Sequence, residues 1–330
     1  MSRLDSDADA GPDRGSGDGD SDGDGDGHSD RDGAPTGPAR DGRGAGTPSI
    51  ETSGLTKRYG DVTAVDGLDL SVPPGTVYGF LGPNGAGKTT TMRMLVALVE
   101  PTAGEARVAG VPVADRDALV ERIGYLPEEP PLFEELTGRE NLEYVASLRD
   151  VPPDEAADRV DRLAGRLDVR SELDRRVSAY STGMRQKVGV VAALVHRPDV
   201  VFMDEPTSGL DPRAARAVRE SIVDLAAGDA TVFLSTHVLG VVEAIADRVG
   251  VLHHGRLVAE GTPDELSARV DDGDATGNAT LEDAFLAITT EREASDGGRD
   301  DGSDGETADP ADEASGGNRA GGAGGSGGRR

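Results

Sequence analysis

Gly82-Pro83-Asn84-Gly85-Ala86-Gly87-Lys88-Thr89 fits the pattern G-x-x-x-x-G-K-[ST] in full. That spacing suits a polyphosphate. The glycines let the backbone curl and aim its N–H groups inward, and a following helix N-terminus adds about half a positive charge. In such a loop Lys88 reaches the β- and γ-phosphates, the Thr89 hydroxyl holds Mg²⁺, and Thr90 counts with them as a nucleotide contact. A second chemical signal lies downstream, where the apolar run Val200-Val201-Phe202-Met203 ends in Asp204-Glu205. Asp204 at a strand tip suits Mg²⁺, a hard cation that takes oxygen ligands. Glu205, facing the other way, can polarise a water for in-line attack on a γ-phosphate. The pair is built for hydrolysis.

Elements must position these groups, and the pattern supplies them. Residues 49–55 and 62–72 alternate apolar and polar and stop at Pro73-Pro74-Gly75, which predicts an antiparallel opening. The β-rich run Thr76–Leu81 feeds the glycine loop, and a helical pattern (Met92, Leu95, Val96, Val99) follows it to Pro101. Short strands are expected over 105–126, ending with Ile123–Leu126. From about 134 to 186 the pattern is helical and charged, with helices at Arg139–Leu148 and Ala156–Leu167, and reads as an inserted helical subdomain. Strand Val200–Met203, helix Arg213–Leu225, strand Thr231–Leu234 and helix Val238–Ala246 then alternate. The fold expected is α/β: a P-loop NTPase core with a mainly parallel sheet, an N-terminal antiparallel β subdomain and the helical insertion.

The 330 residues carry 62 acids against 34 bases, a net charge of −28, with no Cys and no Trp. All ten Tyr and Phe lie between Tyr59 and Phe285. Residues 1–48 hold 12 Asp and 12 Gly, and residues 291–330 hold 10 acids and 12 Gly with nothing apolar larger than Ala. Neither end can bury enough surface to offset chain entropy of about 1–2 kcal/mol per residue, so both are expected to be disordered acidic tails around a domain at 49–290. The missing Cys excludes disulfides, thiolate metal sites and a Cys nucleophile. The longest apolar run, Val188–Val195, has eight residues, too few to cross a bilayer. The charge argues against non-specific nucleic-acid binding. Three Lys against 31 Arg, with so many acids, point to a surface kept soluble in a high-salt cytoplasm.

With these residues in hand, the chain resembles the ATP-binding subunit of ABC (ATP-binding cassette) transporters over roughly residues 49–270. Lys57-Arg58-Tyr59-Gly60 is similar to the segment whose aromatic stacks on adenine, which gives that role to Tyr59. Tyr180-Ser181-Thr182-Gly183-Met184-Arg185-Gln186, placed 23 residues before Asp204, resembles the family signature Leu-Ser-Gly-Gly-Gln and matches it at Ser181 and Gly183. In the family this segment opens a helix and offers its Ser hydroxyl and N–H groups to the γ-phosphate held by a second subunit. Ser208-Gly209-Leu210-Asp211 is similar to the loop that meets its counterpart across the dimer. His237, in Ser235-Thr236-His237, resembles the switch histidine that contacts the γ-phosphate and the catalytic Glu. His253 and His254 have no such support and read as surface residues. One position departs: Glu128 in Gly124-Tyr125-Leu126-Pro127-Glu128 stands where the family has a glutamine that touches Mg²⁺. A carboxylate ligates Mg²⁺ at least as well and adds a negative charge beside the γ-phosphate.

The resemblance implies an ATPase in which two copies sandwich two ATP molecules. It further implies a separate transmembrane permease and a location on the inner face of the cell membrane. The stretches around the P-loop, Glu128 and Ser181 look more like exporter-type (ABC-2-like) subunits than importers. The alternative is a soluble ABC-type ATPase acting outside transport. Against it stand a single P-loop, a separation of only 93 positions from Lys88 to Ser181, and no Cys for metal clusters.

Overall fold

The computed structural model describes residues 47–228, 230–271 and 280–296. The opening alternation becomes β1 (Ile50–Tyr59) and β2 (Val62–Val72), paired antiparallel. Strands β4 (Ala103–Val108) and β5 (Val111–Pro112) extend them into a sheet of order β2-β1-β4-β5. One face of it buries Ile50, Leu55, Val65, Leu68 and Val72.

The second sheet runs β10-β9-β3-β8-β7-β6. Its members are β3 (Val77–Leu81), β6 (Ile123–Leu126), β7 (Val200–Asp204), β8 (Thr231–Thr236), β9 (Arg248–His253) and β10 (Arg256–Gly261). Every pairing from β6 through β9 is parallel, and only β10 joins antiparallel. All residues of β3, β7 and β8 are buried, as expected of parallel strands covered on both faces. Phe233 anchors the middle, with the rings of Tyr78, Phe80 and Phe202 at 5.5, 5.1 and 5.7 Å. Parallel register puts the C-terminal ends of β3, β7 and β8 side by side, where open α/β sheets bind ligands.

Helix α1 (Lys88–Leu95) is shorter than the apolar pattern. Ala97 turns left-handed at φ 55°, yet Val96, Ala97 and Val99 still pack on the first sheet's apolar cluster. The period continued as packing after the helix had stopped. The sequence also hid α2 (Arg116–Val120), one turn capped by Asp115 and too short to show a period. The helical insertion contains α3 (Gly138–Ser147), started by a capping box between Thr137 and Glu140, and α4 (Pro153–Arg166) with Pro153 at its first turn. Its expected end at 186 falls inside α5 (Thr182–Leu194). That helix is shared with the core, and Gly189 explains how: a Cβ there would sit 2.7 Å from Pro130 and 2.8 Å from Leu126. Beyond lie α6 (Pro212–Ala227), α7 (Leu239–Ile245), α8 (Pro263–Asp271) and α9 (Leu281–Asp296). The expected boundary at 290 therefore falls within α9. Residues 1–46 and 297–330 of the two expected tails lie outside the described residues.

Two histidines outside the expected site are buried or largely so. His253, read as a surface residue, is 5% exposed at the end of β9. His196 lies within 2.9 Å of the Ile123 carbonyl through Nε2, and burial pushes it down to about 4, with Arg149 and Arg159 adding to the shift. The folded chain keeps this imidazole neutral, whereas the unfolded chain protonates it near 6.5. Its contribution to stability is therefore complete above pH 6.5 and is lost as pH falls toward 4. His196→Gln is expected to flatten that part of the stability curve in chemical denaturation between pH 7 and 4. Parallel curves for the two proteins contradict this assignment.

Candidate functional site

The loop Gly82–Gly87 joins β3 to α1. Gly87 caps the helix at φ 104°, in left-handed space, and a methyl there would collide with the Ala64 carbonyl of β2. Only glycine fits. Lys88 follows at 7% exposure, its Nζ donating to the carbonyls of Gly82 (2.6 Å) and Pro83 (3.1 Å). Burial pulls its pKa below the ordinary lysine value, and the charges of Glu205 and Asp204 oppose that shift.

Asp204 ends β7 at 3% exposure, and its Oδ1 is buried with no hydrogen-bond partner among the described residues. Glu205 leaves the strand at φ 48°, its N–H donating to Ser235 O at 2.8 Å. Its Oε1 accepts the backbone N–H of His237 at 3.0 Å and lies 2.7 Å from His237 Nδ1. Its Oε2 accepts the Thr236 hydroxyl at 2.9 Å.

A cleft of about 270 Å³ brings these groups together: Lys88, Thr89, Thr90, Glu128, Asp204, Glu205 and His237 line it with Asn84, Gly85, Gly87 and Ala64. Thus residues from five separate parts of the sequence face one space. Gly82, Pro83 and Ala86 form the rest of the loop behind it. A larger concavity of about 720 Å³, bordered by Leu98, Glu105 and Arg116, holds none of the expected site residues.

The other expected residues lie outside this cleft. Tyr59 ends β1 half exposed, with the Lys57 ammonium 5.1 Å from its ring centroid. Lys57 itself is fixed by donating to Glu100 O at 2.6 Å. Ser181 caps α5 by accepting the Met184 N–H at 3.3 Å, which places Gly183 in the helix's first turn. Asp211 caps α6 through Ala214 N–H at 2.9 Å; that bond holds its carboxyl below the usual range, and the Lys187 charge contributes. The two caps are neighbours, since a Cβ on Gly183 would lie 3.5 Å from Leu210 and one on Gly209 3.3 Å from Thr182.

Sequence reasoning missed the brace behind the phosphate loop. Gly255, in the β9–β10 turn, donates its N–H to Ala86 O at 2.9 Å, and the Leu252 carbonyl leaves no room for a side chain on Gly82. No local signal marks this contact, which exists only once β9 pairs with β3.

The arrangement presents a buried ammonium, an unpartnered carboxylate oxygen and a second carboxylate held from both sides around one polar cleft. Comparison with known proteins agrees with this chemistry. The ABC transporter family matches over residues 65–208. The daunorubicin resistance ATP-binding protein DrrA3 of Streptomyces coeruleorubidus is 46% identical over 67% of this chain and 70% of its own length. The bacitracin transport ATP-binding protein BcrA of Bacillus licheniformis is 40% identical over 67% of this chain and 72% of its own. A solved structure of the ATP-binding subunit of an ABC transporter matches with a TM-score of 0.67 at 31% identity, covering 72% of this chain and 98% of that one. The chain belongs to the ATP-binding subunits of ABC transporters and, like them, binds ATP and is an ATPase.

Proposed function

We propose that this chain hydrolyses ATP at the cleft between the Gly82–Thr89 loop and Glu205, and that it thereby powers export through a separate membrane permease. The observation that carries the reading is the convergence of Lys88, Asp204, Glu205 and His237 on one cleft. Loop N–H groups and Lys88 hold the β- and γ-phosphates, and Tyr59 stacks on adenine with its ring steadied by Lys57. Glu205 accepts a proton from the attacking water as the new O–P bond forms and the β,γ-bridging bond breaks, releasing ADP and phosphate. His237 links Glu205 to the γ-phosphate.

The residues present fit Mg²⁺. Asp204 offers a buried, unpartnered oxygen, with Thr89 and Glu128 on the same cleft. Among the described residues no three acidic or histidine side chains form a ready cage, which suits an ion that keeps waters and shares phosphate oxygens. When bound, it supplies neutralisation of the phosphate charge.

Ser181, Gly183 and Asp211 would then serve a second copy, the signature helix N-terminus facing the γ-phosphate held by the partner. Export is favoured over import because the relatives named above serve drug resistance and bacitracin transport. The excess of acids over bases, with Arg in place of Lys, supports work at high salt.

No helix among the described residues is long and apolar enough to cross a membrane; crossing is assigned to the proposed permease. Its docking face is proposed on the helical insertion, where Phe133, Tyr144 and Leu148 are exposed and the two rings meet edge to face at 5.5 Å. Phe133→Asp is expected to leave ATP hydrolysis by the isolated chain unchanged and to abolish its recovery with the membrane fraction. Unchanged membrane recovery would contradict the docking assignment.

A further inference from the structure

The Oε2 side of Glu205 is gripped by a residue to which the preceding account gives no role. Thr236 is fully buried at the end of β8. Its hydroxyl donates to Glu205 Oε2 at 2.9 Å and accepts the Val238 N–H at 3.1 Å, just ahead of α7. The hydroxyl's single proton is thereby committed to Glu205, because its other contact is to a donor.

The two grips on Glu205 differ in kind. Oε1 faces His237, whose side chain is 55% exposed and is the one that would turn toward nucleotide. Oε2 faces a side chain with no exposure, on a strand paired on both sides. A carboxylate held at one oxygen alone turns about its terminal bond, which is a broad torsion. Held at both oxygens, its plane is fixed. Glu205 has further need of this, since it has left β7 at φ 48° and is no longer aligned by strand geometry.

We propose that Thr236 is the positioning residue for Glu205: its hydroxyl fixes the plane of the carboxylate toward the attacking water and keeps it fixed while His237 turns to the nucleotide. This rests on Glu205 being the general base, and the test separates the two claims. Thr236 is fully buried and does not line the cleft. It acts through Glu205, so its loss is felt in turnover and not in ATP affinity.

Steady-state ATP hydrolysis by the full chain is to be compared among Thr236→Val, Thr236→Ser, Thr236→Cys and Glu205→Gln. Thr236→Val keeps the side chain's shape and removes only the hydroxyl. It is expected to lower kcat by about ten- to a hundredfold, the scale of a misplaced catalytic group. KM for ATP should stay within about twofold, because binding is not what is removed. Thr236→Ser, which keeps the donor, is expected to recover most of the rate. Should the Val protein not fold, Thr236→Cys decides, since it is close to Ser in size and carries only a weak donor. Low turnover in Cys with recovery in Ser supports the proposal. Wild-type kcat in Val, equal rates in Cys and Ser, or a raised KM at unchanged kcat each overturn it while Glu205→Gln remains inactive. Normal turnover in Glu205→Gln would instead remove the base assignment on which it rests.

Discussion

Glu205→Gln is expected to bind ATP as tightly as the wild type and to lose about 10²–10⁴ in turnover, the usual contribution of a positioned general base. The amide occupies the same volume, so the close fit against Thr236 and His237 survives in outline. What it loses is the acceptor that takes the proton from water. The binding groups of the cleft, Lys88 and the Gly82–Thr89 backbone, are untouched. With binding kept and hydrolysis blocked, the ATP-bound state accumulates. If two copies share the nucleotides, light scattering should report a doubled mass on adding ATP and Mg²⁺, reversed on removing them. Turnover within about tenfold of the wild type would leave too small a loss for a general base and would remove that role.

The second large effect is on binding. Lys88→Ala is expected to weaken ATP affinity by more than about a hundredfold, since charge-assisted bonds to phosphate contribute about 1.5–3 kcal/mol each and 1.4 kcal/mol is tenfold. The surroundings sharpen the loss. Lys88 is the cation that faces Asp204 and Glu205 in the cleft, and both carboxylates act on its charge. Without it a polyphosphate would meet two acids and the Gly82 and Pro83 carbonyls, each without its Lys88 bond. Lys88→Arg should not rescue. The compact ammonium is enclosed at 7% exposure, and a planar guanidinium does not fit the same space. Titration with a fluorescent ATP analogue checks both variants, and a loss below tenfold in Lys88→Ala would contradict the assignment.

What was legible in the sequence was local. The phosphate loop, the Asp204-Glu205 strand end and the cap at Ser181 each depend on neighbours within a few residues, and each expected residue lies where its element requires. Strand alternation marks the opening pair, since exposure follows period two over residues 50–53 of β1 and 67–72 of β2, while continuous apolar runs mark the covered strands β3 and β7. Elements that depend on distant contacts were not legible. The β9–β10 hairpin braces the phosphate loop through Gly255 and Leu252, across a separation in sequence that no periodicity reports. Buried His253 looked like surface because it adjoins His254 and Gly255 in a polar turn. Thr236 adjoins His237 in the sequence, and its role shows only in the structure, where its hydroxyl meets Glu205. The α1 terminus was overrun for a related reason: Val96 and Val99 are apolar because they pack, whatever their backbone does.

The most direct test of ATP-driven transport is made in the chain's own host. Tagged Glu205→Gln protein is recovered from membranes with ATP and Mg²⁺ present, and the proteins held with it are identified and quantified. The expected result is one polytopic membrane protein in a fixed ratio to the chain, released when Phe133→Asp is added to the same protein. Recovery without any membrane protein, or with one that Phe133→Asp does not release, would contradict a motor that docks on its permease through the helical insertion.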